Sequence, residues 1–192
     1  MDPLYAFVFA GLFSPGPNVI LLTASGARFG FRATLPHVVG VALGVGVIAA
    51  VVGLGVGALL LAQPGLSFAL KMIAAGWILW MAWRLTHTRQ LSVGKAGDKP
   101  FTAWQAVLFQ WVNPKVWAVA MAAAAGYGAG LGPMGEAQRL ALAFSGLNLF
   151  VCLFWSFAGS LLALLLTTPR AWTVFRLCMS AALAGSAIMV FL

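Results

Sequence analysis

Two short stretches of the chain set polar side chains, prolines and a cation in an order suited to binding a small anion. They are Ser14–Pro15–Gly16–Pro17–Asn18 and Asn113–Pro114–Lys115. Proline has no backbone N–H, and its ring clashes with the carbonyl four residues earlier. The residue before a proline is also pushed out of helical geometry. Ser14 and Gly16 therefore resist a helix, and the carbonyls of Gly11 and Phe13 lose their usual donors. The same residues also read as a helix start, with Ser14 as N-cap and Pro15 at the first helical position. Asn113 and Pro114 repeat that order. A helix start carries free N–H groups and roughly +0.5 charge, and both favour a carboxylate. Lys115 adds a full positive charge beside the second start.

The elements that must hold these residues are apolar. The chain has 192 residues, of which 62% are hydrophobic and 7% charged. A soluble domain carries roughly 25% charged residues, so a dissolved globule is excluded and the expectation is an all-α integral membrane protein. A helical crossing needs about 20 apolar residues. About six such runs stand near 4–25, 38–62, 66–86, 101–125, 140–166 and 171–191. They are continuous, whereas a transmembrane barrel alternates with period two.

Both proline stretches fall inside runs, the first and the fourth, so helices 1 and 4 are expected to be interrupted. Unsatisfied backbone groups in hydrocarbon cost several kcal/mol each, so each break must be covered by protein or water. Lys115 is equally exposed to that cost. The chain has 3 acidic residues, Asp2, Asp98 and Glu136, and all lie at ends or in loops. An ammonium at membrane depth with no acid to pair with reads as functional. Its natural partners are the carbonyls freed by proline or a substrate carboxylate.

The polar connection near 87–100 divides a single transmembrane domain, 1–192, into repeat 1 (about 1–86) and repeat 2 (about 101–192). FALKMIAA, from Phe68 to Ala75, resembles FRLCMSAA, from Phe175 to Ala182. FSPGPN and WVNPKV match in design in the corresponding runs. Halves of about three spans each must insert with opposite orientation, as in the inverted repeats of secondary transporters. Arg28, Arg32, Arg84, Arg89, Lys95, Lys99 and Arg170 fall on one set of connections, and Arg139 lies opposite with Asp2 and Glu136. By the positive-inside rule the first set is cytoplasmic and both termini are periplasmic. The N-terminus has no basic region or small-residue cleavage site, so the first run is expected to be a retained span.

Other residues carry competing readings. Lys71, near a span end, can snorkel to the headgroups or serve the pathway or coupling. His37 can relay a proton or sit as an interfacial side chain. Asn148 and Gln110 can line a pathway or bond neighbouring helices. Gly40, Gly44, Gly53 and Gly57 are spaced for close helix packing. Cys152 and Cys178 lie in apolar runs as small hydrophobes. The net charge of +8 is scattered over loops with no basic arm to track phosphates, so nucleic acid is not an expected partner. No metal-ligand cluster, cofactor motif or catalytic set is present, and an enzyme is not expected.

SPGPN, followed by Gly26–Ala27–Arg28–Phe29–Gly30 and Gly40, resembles the N-terminal signature of the LysE/RhtB family of amino-acid exporters. Asn113–Pro114–Lys115 is similar to that family's second signature, and the likeness extends over essentially the whole chain. It implies a bacterial inner-membrane exporter of amino acids or related small metabolites driven by an ion gradient. Partners would be the solute, a coupling ion and the lipid bilayer, with a homodimer as a further option. Family members often carry Asp directly after PGP, where this chain has Asn18. An Asp there could bind a substrate ammonium or carry a coupling proton, and Asn performs only a weaker form of the first. A neutral or acidic amino acid suits spans without acids better than a basic one.

On this basis Ser14, Gly16 and Asn113 are expected to hold the substrate carboxylate and Lys115 to supply the counter-charge. Asn18 would contact the ammonium or side chain, while Pro15, Pro17 and Pro114 keep the broken backbone in place. The alternatives are an exporter of a cation, lipid or xenobiotic on the same scaffold, and a non-transporting assembly subunit.

Overall fold

The computed structural model describes residues 2–56, 62, 64–87 and 99–188. Gly57 and most of the central polar connection, with Arg89, Lys95 and Asp98, lie outside the described residues. Among the described residues eight helices follow one another: α1 Pro3–Phe13, α2 Pro17–Phe29, α3 Phe31–Gly53, α4 Pro64–His87, α5 Ala103–Trp111, α6 Pro114–Gly126, α7 Pro133–Leu165 and α8 Pro169–Ile188. Six of the eight begin on proline, whose fixed φ suits the first helical position and whose missing N–H would be unpaired there anyway.

The chain is a multi-pass membrane protein. α3, α7 and α8 are each long and apolar enough to cross a bilayer, and α1 with α2 makes a fourth span if that bent pair is one. The pair turns through 57° at its break. α5 and α6 have 9 and 13 residues, each too short to span alone at about 1.5 Å per residue. α3 begins before the expected boundary near 38, because Gly30 at φ +83° turns the chain directly out of α2.

Packing pairs elements that are distant in sequence. α3 lies most extensively against α7, α2 crosses α7, α3 crosses α5, and α4 pairs with α8. Apolar side chains feel little drive to leave lipid, so such contacts depend on close backbone approach through small residues. Gly40 abuts the Ala103 backbone, and a Cβ on Gly44 would sit 2.7 Å from Gln110 Cγ. Gly53 abuts the α7 backbone at Ala137, and Gly26 and Gly159 make a reciprocal contact with the backbones of Ser156 and Thr23. The spacing of Gly40, Gly44 and Gly53 thus serves architecture.

The main core joins Leu4, Val8 and Leu12 of α1 to Val41 and Val45 of α3 and Phe144 of α7. A second cluster joins Ile20, Ile78, Phe109 and Leu183. Cys152 is buried in the main core, whereas Cys178 is exposed.

Candidate functional site

The two breaks face each other. α1 ends at Phe13 and α2 starts at Pro17 with Gly16 as its N-cap. The expected start at Ser14–Pro15 is displaced by one proline. A helix beginning at Pro15 would need Gly16 in helical geometry, and Pro17 disfavours that. Ser14 instead caps the end of α1: its backbone N–H donates to Ala10 O at 3.1 Å and its hydroxyl to Gly11 O at 2.9 Å. The Gly11 carbonyl stranded by Pro15 thereby regains a donor.

In the other half, α5 stops at Trp111 and α6 starts at Pro114 with Asn113 as N-cap, as the sequence indicated. Neither Gly16 nor the Asn113 side chain makes a capping hydrogen bond. The first N–H groups of α2 and α6 therefore lack side-chain caps.

Lys115 spans the gap between the breaks. Its Nζ donates to the Ser14 carbonyl, to Ser14 Oγ at 2.9 Å and to the Pro15 carbonyl at 3.2 Å. An ammonium has three donors, and all three find acceptors on the broken end of α1. These oxygens belong to the break itself and are not the Gly11 and Phe13 carbonyls that the prolines strand. Lys115 also runs over Gly16, where a Cβ would fall 2.7 Å from its Cδ and 3.0 Å from its Nζ.

A second link runs the other way. Asn18 Nδ2 donates to Gln110 Oε1 at 2.9 Å, and Gln110 Nε2 donates to Asn18 Oδ1 at 3.2 Å. Gln110 Nε2 also donates to Ala106 O at 2.9 Å, and Asn113 Nδ2 donates to Gln110 Oε1 at 3.3 Å. Gln110 is fully buried and is the hub of this set. Of its two sequence readings, the structure shows the bond to a neighbouring helix. Asn113 Oδ1 is buried and accepts no hydrogen bond.

Ser14, Pro15, Gly16, Asn18, Asn113, Pro114 and Lys115 thus meet in one place, with Pro17 buried at the start of α2. Other candidates are elsewhere. Lys71 is exposed on α4. Asn148 is buried in α7 with Nδ2 unpaired. His37 is buried in α3 with both ring nitrogens unpaired. Among the described residues no cluster of His, Cys, Asp and Glu could hold a metal.

An ionic clasp, not foreseen in the sequence, ties α1 to α7. Arg139 meets Asp2 at 2.7 Å and Glu136 at 3.2 Å, and donates to Tyr127 O at 2.8 Å. The hydrogen bond from Arg139, helped by the Leu4 N–H, holds the Asp2 carboxyl below its ordinary range. The available signal was Arg139 standing among acids on the side otherwise poor in cations.

Comparison with known proteins gives this geometry a family. The family described as LysE type translocator matches residues 9–192. The cysteine/O-acetylserine efflux protein of Salmonella typhi is 27% identical over 116 residues, covering 60% of this chain and 59% of that protein. The protein of the same description from Escherichia coli K12 is 26% identical over 117 residues, with the same shares covered. The match therefore spans 59% of the length of those relatives. No solved structure matches the chain at a significant level.

Proposed function

The chain belongs to the LysE type translocator family, and from that premise we propose that it exports amino acids or related small metabolites across the bacterial inner membrane. It is a transporter and not an enzyme. The proposed mode is secondary active transport by alternating access, coupled to an ion gradient. The single observation that carries this reading is the crossing of two interrupted helices, each bonded to the other's break by a charged or amide side chain. Broken helices whose uncapped starts point at a shared point are how transporters bind charged solutes inside a membrane.

In this proposal the N–H groups at the starts of α2 and α6 take the solute carboxylate, with Lys115 as counter-charge. Asn113 Oδ1, a buried acceptor without a donor, takes the α-ammonium. That task passes from Asn18, whose amide is engaged by Gln110 at both ends. Neutral solutes are favoured, consistent with the cysteine and O-acetylserine in the relatives' names and with the lack of acids in the spans.

The proposed topology is about six spans in a single domain, built as two inverted three-helix repeats. Its support is the pairing of counterparts: α1–α2 meets α5–α6 at the breaks, α3 lies on α7, and α4 lies on α8. The matching strings from Phe68 and Phe175 begin in α4 and α8, and Ser180 Oγ donates to Ala82 O at 3.0 Å between those helices. Periplasmic termini are supported by Arg28, Arg84 and Lys99 lining one cavity while Asp2 pairs with Arg139. A homodimer is compatible with this arrangement.

Counterflow in proteoliposomes tests the reading. Vesicles loaded with unlabelled O-acetylserine or cysteine should accumulate the labelled solute saturably. A panel of neutral and acidic amino acids that all fail to exchange would sink it and favour a non-transporting subunit.

A further inference from the structure

α2, α3, α4 and the segment leading into α5 line an open-mouthed cavity of about 150 Å³. Arg28, Arg84 and Lys99 line it, together with His37 and an otherwise largely apolar wall. Arg28 lies over the Phe29 ring and Arg84 over the Trp80 ring, both at 4.9 Å. Such stacking holds a guanidinium in place without removing its charge.

His37 is the informative member of the lining. It is 2% exposed, its ring centre lies 5.1 Å from that of Phe101, and neither Nδ1 nor Nε2 has a hydrogen-bond partner. An imidazole always carries at least one N–H. Buried polar groups in native proteins are nearly always satisfied, and an orphan at the wall of a cavity points to something that enters it. Cations around the cavity and a donor within it define an anion as the complement.

We propose that this cavity is a binding site for a small carboxylate-bearing solute, with His37 donating to the carboxylate and Lys99, Arg28 and Arg84 supplying the attracting charge. A cavity of about 150 Å³ accommodates a molecule of benzene's size, so the head of a small amino acid suits it. Asn18, Leu21, Ser25 and Arg28 are three or four residues apart and fall on one face of α2. Leu21, the lining residue nearest Asn18, is three residues along the helix from it, roughly 5 Å, so the cavity begins close below the crossing of the breaks. The cavity is thus a staging site on the route to that crossing. The identity of the solute rests on the export reading; the binding of carboxylates does not.

The chain has 2 histidines, His37 and the exposed His87, so ring-labelled histidine gives two NMR signals, one of them an internal control. The full chain in phosphatidylcholine nanodiscs would be titrated with O-acetylserine, glutamate and acetate, and with O-acetylserine methyl ester, at constant ionic strength. The carboxylates should shift His37 saturably and leave His87 in place, and the ester should shift neither. Lys99→Gln, and Arg84→Gln with it, should weaken the response about tenfold, with circular dichroism and a monodisperse size-exclusion profile showing that the fold is kept. Failure of every carboxylate to move His37, an equal response to the ester, or full binding in both variants would overturn the proposal. So would a His37 shift produced by phosphatidylglycerol in the nanodisc that blocks the solutes, since the cavity would then be a lipid headgroup site. If His37 responds as expected and counterflow fails, the export reading falls and the binding site stands.

Discussion

Asn18 and Gln110, separated by 92 positions, exchange amide hydrogen bonds of 2.9 and 3.2 Å across the point where two helices are broken. Beside them Lys115 reaches back to Ser14 and Pro15. Each half of the chain therefore supplies the polar partners that the other half's break requires. This reciprocity is what makes two proline-interrupted helices tolerable in an apolar setting, where unpaired backbone and amide groups are costly.

The amide pair should behave as a coupled unit. Gln110→Leu leaves the Asn18 and Asn113 amides without their partner and should destabilise the protein by about 1–3 kcal/mol. Asn18→Leu combined with Gln110→Leu should cost less than the sum of the two single changes. Equilibrium unfolding of the four proteins in mild detergent measures the coupling, and simple additivity would contradict it.

Lys115→Met should insert normally and export poorly, with initial counterflow rates down about tenfold or more, equivalent to about 1.4 kcal/mol. Lys115→Arg should not restore the rate. A planar guanidinium cannot direct three donors from one atom at the three acceptors on Ser14 and Pro15. Wild-type exchange by the Met protein would remove Lys115 from the site.

Gly16→Ala should act through Lys115. The added Cβ would stand 2.7 Å from Lys115 Cδ, so the side chain must move and its ammonium leaves the broken end of α1. The loss of transport should be clear in the wild-type background and much smaller in Lys115→Met. An equal fractional loss in both backgrounds would point to a backbone cause.

Gly26 and Gly159 bring the backbones of α2 and α7 into contact. Gly159→Val forces that crossing apart, and overpacking of this kind typically costs about 1–3 kcal/mol, occasionally more. The expected outcome is a lower yield of monodisperse protein on size exclusion. A yield equal to wild type would show that the crossing has slack.

Much of this was legible in the residues. Apolar runs and prolines gave the helices, and Ser14–Asn18 and Asn113–Lys115 announced the breaks. Lys115 followed from simple elimination, since no acid shares its depth. The partner of Asn18 was not legible, because register between helices far apart in sequence is set by glycine contacts such as Gly44 on Gln110, and local pattern carries no signal of it. The displaced start of α2 was legible in principle: two prolines two residues apart allow one start, and the second proline decides it. Lys71 kept two readings for another reason, since a lysine near a span end has the same local sequence whether it faces lipid or pathway.

The clasp at Asp2 should give the structure a threshold in acid. Arg139, with the Leu4 N–H, holds the folded Asp2 carboxyl below the ordinary range of an aspartate. A group with a lowered folded pKa contributes stability above its unfolded value and loses that contribution as pH falls through the folded one. The clasp should therefore be intact at neutral pH and weaken progressively below about pH 4. Thermal unfolding from pH 3 to 7 should show that dependence in the wild type. Asp2→Asn should lack this component, and superimposable curves would contradict the assignment.

The saturated ammonium of Lys115 has one further consequence. The three backbone and hydroxyl oxygens around it offer the ammonium the same kind of acceptor that a carboxylate would. Solute capture by such a lysine is a swap of oxygens, in which each bond gained to the cargo is matched by one given up to α1. On that reading the net free energy of capture would be small and release correspondingly easy. On the proposed export reading, a lysine held in this way would keep its charge partnered whether or not a solute is bound.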